Sequence, residues 1–144
     1  MKKSACIAAM VVGGVLPGIS SGQAFPAKPI RILVGFAAGG APDILARIVA
    51  KKLSESTGQA VVVENRAGAA GNIAAQAVTR SEPDGYTLLM ATVSVAISSS
   101  FQANLAFSPA KDFEPIGMVA SVPLVLVAAP GLGVTTVKEL LAFA

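Results

Sequence analysis

The chain contains no His and no Trp, and its single Cys is Cys6. His is the most common general acid or base and a frequent metal ligand, so a Ser-His-Asp or Cys-His catalytic site is excluded within these 144 residues. One Cys excludes an internal disulfide and a thiolate-rich zinc site. The acidic residues lack calcium-ligand spacing, and the glycines of residues 35–40 fit neither the dinucleotide nor the P-loop pattern. We therefore expect no metal, no cofactor and no enzymatic activity.

Charged residues are also few, at 13% of the chain. Two of them, Lys2 and Lys3, precede an apolar run over residues 5–16 and then small residues, which is the order of a secretory signal peptide. We predict a signal peptide over residues 1–24, with cleavage after Ala24, and hence an exported protein. The alternative is an uncleaved membrane anchor, although the run is shorter than the roughly 20 residues that span a bilayer. Without those two lysines the chain is nearly neutral, so we expect no nucleic-acid partner.

Apolar and small residues are abundant, with 53% hydrophobic residues and 14 Gly, which excludes a disordered tail. Two strand–loop–helix units and a third strand follow one another. The strands are predicted over residues 30–36, 60–63 and 86–91, and the helices from Pro42 to a stop at Gly58 and from an N-cap at Asn72 through Arg80. The apolar face of the first helix is predicted to consist of Ile44, Leu45, Ile48, Val49 and Leu53. Buried strands alternating with helices indicate an α/β fold, a mainly parallel sheet flanked by helices.

The pattern weakens after residue 91. We predict a short helix over residues 94–100 and two more strands over residues 116–120 and 124–128. Thr136 and Glu139 form a capping box that begins a final helix. Because that helix reaches the last residue after about two turns without a C-cap, we expect the chain to be truncated.

The candidate binding site consists of small-residue loops that follow the first two strands. Parallel strands place such loops at one edge of the sheet, where glycines and free backbone N–H groups favour an anion. The glycines could instead only form tight turns, and Asp43 could bind a ligand amine or only face the helix dipole. Arg66 could pair with a ligand carboxylate, although a solvated surface position is the simpler interpretation. The candidate ligand-binding residues are Phe36, Ala37, Ala38, Gly39, Gly40, Asp43, Gly68, Gly71, Asn72 and Thr92.

Several short motifs occur in a characteristic order. They are Val34–Gly40 (VGFAAGG) with Asp43 behind it, Gly58–Arg66 (GQAVVVENR), Gly68–Ile73 (GAAGNI), Pro83–Leu89 (PDGYTLL) and Lys111–Pro115 (KDFEP). From about residue 25 to its end, the chain resembles the receptors of tripartite tricarboxylate transporters, the Bug (Bordetella uptake gene) or TctC-like family. The resemblance implies a periplasmic solute-binding protein of the flytrap type, in which two α/β lobes close over a ligand. Members are roughly twice this long, so residues 25–144 would be most of an N-terminal lobe.

This resemblance implies that backbone amides and bridging waters hold the carboxylate of a small ligand, a di- or tricarboxylate, an amino acid or an aromatic acid. A complete receptor would deliver that ligand to membrane permease subunits. The alternative is a truncated remnant without independent binding activity. The sequence also departs from the family pattern. Pro42 replaces a common Ser or Thr, Ala38 stands where Pro is frequent, and Ala69 or Ala70 stands where Gly is frequent.

Overall fold

A computed structural model of the chain describes residues 24–102 and 104–143. The predicted signal peptide, up to residue 23, lies outside the described residues. No helix in the described part of the chain combines the length and the apolar character needed to cross a membrane.

The centre of the structure is a parallel three-stranded sheet. Its strands are β1 (Ile30–Val34), β2 (Val61–Asn65) and β3 (Thr87–Met90), in the order β2-β1-β3. The register pairs Ile30 with Val61 and Arg31 with Thr87. Four of the five residues of β1 are buried, because this central strand is covered on both faces. The predicted α/β fold with a parallel sheet is confirmed.

Four α-helices flank or follow this sheet in the described part of the chain: α1 (Ala41–Thr57), α2 (Asn72–Thr79), α3 (Val93–Phe101) and α4 (Val137–Phe143). Short 3-10 turns lie at Ala69–Gly71 and Pro130–Leu132. As predicted, Pro42 lies in the first turn of α1, and Gly58 ends this helix with a left-handed φ of 71°. The capping box is also confirmed, since the Thr136 N–H donates to Glu139 and the Glu139 N–H donates to the Thr136 hydroxyl.

Side-chain alternation along the strands divides the core between the two faces of the sheet. On one face, Ile32 and Val34 pack against Ala46 and Ala50 of α1. On the other face, the buried cluster consists of Ala75, Val95 and Phe107, with Leu89 and Phe113 packed against it. The prediction for the face of α1 was wrong in part, because Ile44 and Ile48 are half-exposed and the two alanines are buried. Small side chains allow a helix to approach a sheet closely, so alanine occupies the line of contact.

The two strands predicted beyond β3 are absent from the described structure. Residues 114–129 have no regular secondary structure, and Ile116 and Leu124 in this segment are almost fully exposed. The apolar pattern of this segment is typical of a strand, but a strand forms only where its N–H and C=O groups pair with a neighbour. Within the described residues, no strand pairs with this segment.

Candidate functional site

Three loops leave the same edge of the sheet, because β1, β2 and β3 run parallel and end at Val34, Asn65 and Met90. Loop 1 comprises residues 35–40, loop 2 comprises residues 66–71, and Thr92 follows β3. The backbones of loops 1 and 2 are in direct contact, since a Cβ added at Gly35 would lie 2.4 Å from the Cα of Gly71. The structure therefore brings together the two loops that the sequence predicts as an anion site.

Loop 1 contains a tight turn that uses two of its backbone amides internally. The Gly40 N–H donates to the Ala37 carbonyl at 3.4 Å, and the Gly39 N–H donates to Oδ2 of Asp43 at 2.9 Å. Gly39 has a φ of 84°, as the third residue of a type II turn requires. Ala38 is the second residue of this turn, a position that favours Pro. The amides of Ala37 and Ala38 have no acceptor among the described residues.

Asp43 lies in the first turn of α1, behind loop 1, and its side chain is 3% exposed. Its Oδ2 accepts hydrogen bonds from the Gly39 N–H and from Nε of Arg47 at 3.0 Å, and its Oδ1 accepts one from Nδ2 of Asn65 at 2.9 Å. The hydrogen bond from Arg47, followed by those from Gly39 and Asn65, holds the pKa of this carboxyl group far below its ordinary value. Asp43 is therefore a buried carboxylate in this structure, and not merely an exposed partner of the helix dipole.

Loop 2 contains a left-handed turn, with Ala69 and Ala70 as its central residues. Gly68, Ala69, Ala70 and Gly71 all have positive φ, at 132°, 48°, 55° and 96°. The Gly71 N–H donates to the Gly68 carbonyl at 3.0 Å and closes the turn. Left-handed backbone is unfavourable for residues with a Cβ, so the two alanines are strained where glycine would not be. This geometry accounts for the frequent Gly that the resemblance implies at these positions.

The prediction of Asn72 as the N-cap of α2 was wrong. Asn72 is the first helical residue, with φ −66° and ψ −25°, and Gly71 occupies the N-cap position. An N-cap side chain bonds back to the helix from an extended backbone, which Asn72 does not have. Its side chain instead turns toward α3, where Nδ2 donates to Oε1 of Gln102 at 3.0 Å.

Two predicted site residues hold buried polar atoms at this edge of the sheet. Asn72 is 7% exposed, and its Oδ1 has no hydrogen-bond partner among the described residues. The hydroxyl of Thr92 is likewise buried and without a partner in the described part of the chain. Because an unsatisfied buried polar atom is costly, both atoms are suited to a water molecule or a ligand group.

The remaining candidates lie around these loops. The ring of Phe36 borders Gly71, since a Cβ added there would lie 3.5 Å from Cε2 of that ring. Arg66 forms an ion pair with Glu64 at 2.7 Å, so its charge is already compensated within the structure.

Two cavities lie away from the loops. One of about 490 Å³ lies between α1 and β2, and one of about 510 Å³ lies beside the C-terminal end of α3. Neither cavity is lined by the predicted site residues. No group of three or more His, Cys, Asp or Glu side chains suited to a metal ion occurs among residues 24–102 and 104–143.

Sequence analysis missed Arg47 and Asn65. The Asp43–Arg47 pair has the i,i+4 spacing of helical ion pairs, so this contact could have been found. The role of Asn65 depends on the parallel pairing of β1 with β2, which brings the end of β2 beside loop 1. An asparagine at the start of a predicted loop carries no signal that distinguishes it from an ordinary turn residue.

A parallel sheet with its glycine-rich loops gathered at the carboxyl edge is the architecture of a domain that binds small molecules. The sequence comparisons give the particular family. The chain belongs to the tripartite tricarboxylate transporter family of receptors, TctC, whose family model matches residues 45–144.

Individual relatives agree with this assignment. A UPF0065 protein of Agrobacterium vitis, from the TAR-I ttuE-ttuC' intergenic region, is 38% identical over 137 residues, or 94% of this chain and 40% of that protein. BugT of Bordetella pertussis is 42% identical over 124 residues, or 85% of this chain and 38% of that protein. The chain thus spans about two fifths of the length of these relatives.

Solved structures show the same fold. A protein of R. palustris determined with adipate is 37% identical and superimposes with a TM-score of 0.68, covering 83% of this chain and 40% of that one. MatC from Rhodopseudomonas palustris, with bound malate, is 36% identical with a TM-score of 0.55, covering 63% of this chain and 31% of that one.

Proposed function

We propose that this chain supplies the carboxylate-binding loops of a periplasmic solute receptor, which captures a small carboxylate for the permease subunits of a tripartite tricarboxylate-type transporter. The observation that supports this proposal best is the backbone contact between loops 1 and 2 at Gly35 and Gly71. This contact brings unpaired amides and the orphaned atoms of Asn72 and Thr92 to one edge of the sheet. In this role the protein binds its ligand and carries out no chemical reaction.

The ligand class is inferred from the relatives and from the loops together. Relatives with 36–37% identity were solved with malate and adipate, which are both dicarboxylates. Free backbone amides bind an anion without a cationic side chain, so the nearly neutral charge of residues 25–144 is compatible with this ligand class. Of the amides of Ala37 and Ala38, that of Ala37 is the better candidate donor. Ala38 stands where the family resemblance implies a frequent Pro, which has no N–H.

We further propose that the chain is exported, that residues 1–24 are removed after Ala24, and that residues 25–144 form most of the N-terminal α/β lobe of the mature receptor. The intact mass of the product in a periplasmic extract tests the cleavage site. A product that retains residues 1–24 would contradict it.

Isothermal titration of the full chain with malate, succinate, adipate and citrate tests the binding function. Binding of at least one of these acids is expected, and heat changes no larger than those of buffer across the whole panel would contradict the proposal and favour the non-binding alternative.

A matched pair of proline variants tests the loop geometry in the same titration. Ala37→Pro removes the proposed donor, and we expect it to weaken binding about tenfold, the effect of one lost hydrogen bond to a charged group. Ala38→Pro is the control, because the second residue of a type II turn accommodates Pro. Equal affinities of the two variants would contradict the assignment of Ala37.

A further inference from the structure

Three polar side chains behind loop 1 form a connected cluster, which we call the loop clamp: Asp43, Arg47 and Asn65. Nδ2 of Asn65 donates to Oδ1 of Asp43 at 2.9 Å, and Nε of Arg47 donates to Oδ2 of Asp43 at 3.0 Å. Nη2 of Arg47 also donates to Oδ1 of Asn65 at 3.3 Å. Each member therefore contacts the other two, so a change in one alters the positions of the rest.

The loop clamp holds loop 1 at two points. Asp43 accepts the Gly39 N–H at 2.9 Å, and Asn65 donates to the Phe36 carbonyl at 3.1 Å. These two anchors lie on either side of Ala37 and Ala38, whose amides have no acceptor among the described residues. The direction in which those two amides point is thus fixed by contacts on both of their neighbours.

Asp43 is poorly placed to contact a ligand itself. Its side chain is 3% exposed, and both of its oxygens already accept hydrogen bonds from loop 1, Arg47 and Asn65. A carboxylate satisfied in this way acts on a bound molecule through the backbone that it holds, and not by touching that molecule.

We infer that Asp43, Arg47 and Asn65 are positioning residues of the carboxylate site, which preorganise the amide of Ala37 without contacting the ligand. This inference rests on the proposed function. A site built from backbone amides depends on such support, because an amide that is rotated away from the anion contributes no hydrogen bond.

The decisive comparison is between Asp43→Asn and Glu55→Gln in the full chain. Both variants convert a carboxylate of α1 into an amide, but Glu55 pairs with Lys52 on the exposed side of the helix. We expect Asp43→Asn to weaken binding of malate, succinate and adipate alike by about tenfold, the effect of one lost hydrogen bond to a charged group. Glu55→Gln is expected to leave these affinities unchanged.

Hydrogen exchange at the Gly39 amide provides a readout that needs no ligand. In Asp43→Asn this amide loses its charged acceptor, and we expect its exchange to accelerate about tenfold, with no acceleration in Glu55→Gln. Unchanged exchange would overturn the clamp. A wild-type chain that binds none of malate, succinate, adipate and citrate would instead overturn the proposed function. The exchange result would still decide whether the loop clamp holds loop 1.

Two further variants separate positioning from direct contact and from simple destabilisation. If the loop clamp acts through loop 1, Asn65→Ala should weaken the binding of all three acids similarly. Weakened binding in Asp43→Asn, with Asn65→Ala binding all three acids like the wild type, would show direct contact and overturn the inference. Arg47→Lys keeps the charge on a half-exposed side chain and so serves if Asp43→Asn does not fold. We expect Arg47→Lys to bind the three acids more weakly than the wild type, although by less than tenfold. Affinities equal to those of the wild type, together with a lowered unfolding midpoint, would overturn the inference.

Discussion

The contact between loops 1 and 2 gives the sharpest prediction for stability. In Gly35→Ala, the added Cβ would lie 2.4 Å from the Cα of Gly71 and 3.0 Å from its carbonyl oxygen. Non-bonded carbon atoms prefer about 3.5–4.0 Å, so the two backbones would have to separate by about 1 Å. Both obstructing atoms belong to the backbone, and no side chain can rotate out of the way. We expect a loss of roughly 1–3 kcal/mol in the free energy of unfolding, as for other overpacked sites.

Urea-induced unfolding of the full chain measures this loss directly, with Gly117→Ala as the matched control. An added Cβ at Gly117 meets nothing within 4 Å, so we expect its free energy of unfolding to stay within about 0.5 kcal/mol of the wild type. The m-value should be the same in both variants, because the surface exposed on unfolding does not change. Equal stability of Gly35→Ala and Gly117→Ala would refute the close packing of the two loops.

Other perturbations test separate parts of the structure. Ala70→Gly should stabilise the chain by roughly 0.5–1 kcal/mol, because it removes left-handed strain at a φ of 55°; a loss of stability in thermal unfolding would contradict that backbone conformation. The lowered pKa of Asp43 stabilises the fold above the ordinary carboxyl pKa, and this contribution is lost as the pH falls from about 4 toward the lowered value. Acid titration should therefore show a weaker loss of stability in Asp43→Asn, and identical acid profiles would contradict the buried carboxylate. Phe107→Ala should lower the free energy of unfolding by roughly 3–5 kcal/mol, because Phe107 is 7% exposed and packs edge-to-face on Phe113 with ring centroids 5.7 Å apart. Phe101 is 77% exposed, so Phe101→Ala should change stability little. Equal losses in chemical unfolding would contradict the second core cluster.

Local patterns were sufficient to predict the first two thirds of the fold. The apolar runs, the small-residue loops and Gly58 define β1, α1, β2, α2 and β3 in the correct order, since each element is specified by its own residues. Residues 116–120 and 124–128 have an equally apolar pattern, yet they form no strand in the described structure. The difference lies in pairing, which the local sequence does not contain.

The candidate site shows the same division between local and non-local information. The positions of loops 1 and 2 follow from the parallel sheet, and the sequence predicts them correctly. The contacts of Asp43 with Asn65 join residues 22 positions apart and follow only from the strand order. Likewise, Ala69 and Ala70 adopt positive φ, and α2 begins only after them, with Asn72 as its first residue. Composition alone does not predict this backbone conformation.

The strand order β2-β1-β3 also has a consequence for how the chain acquires its structure. β1 is synthesised first but forms ladder hydrogen bonds only with strands that come later, through Ile30 with Val61 and Arg31 with Thr87. A ribosome must therefore add about thirty residues before β1 can gain one neighbour, and more than fifty before it gains the other. Because closing such long loops precedes any gain from the ladder, nucleation of this sheet is non-local and should be slow compared with that of a helical bundle. Within the described sheet, β1 alone has two neighbouring strands, and it gains the second only after β3 has been synthesised.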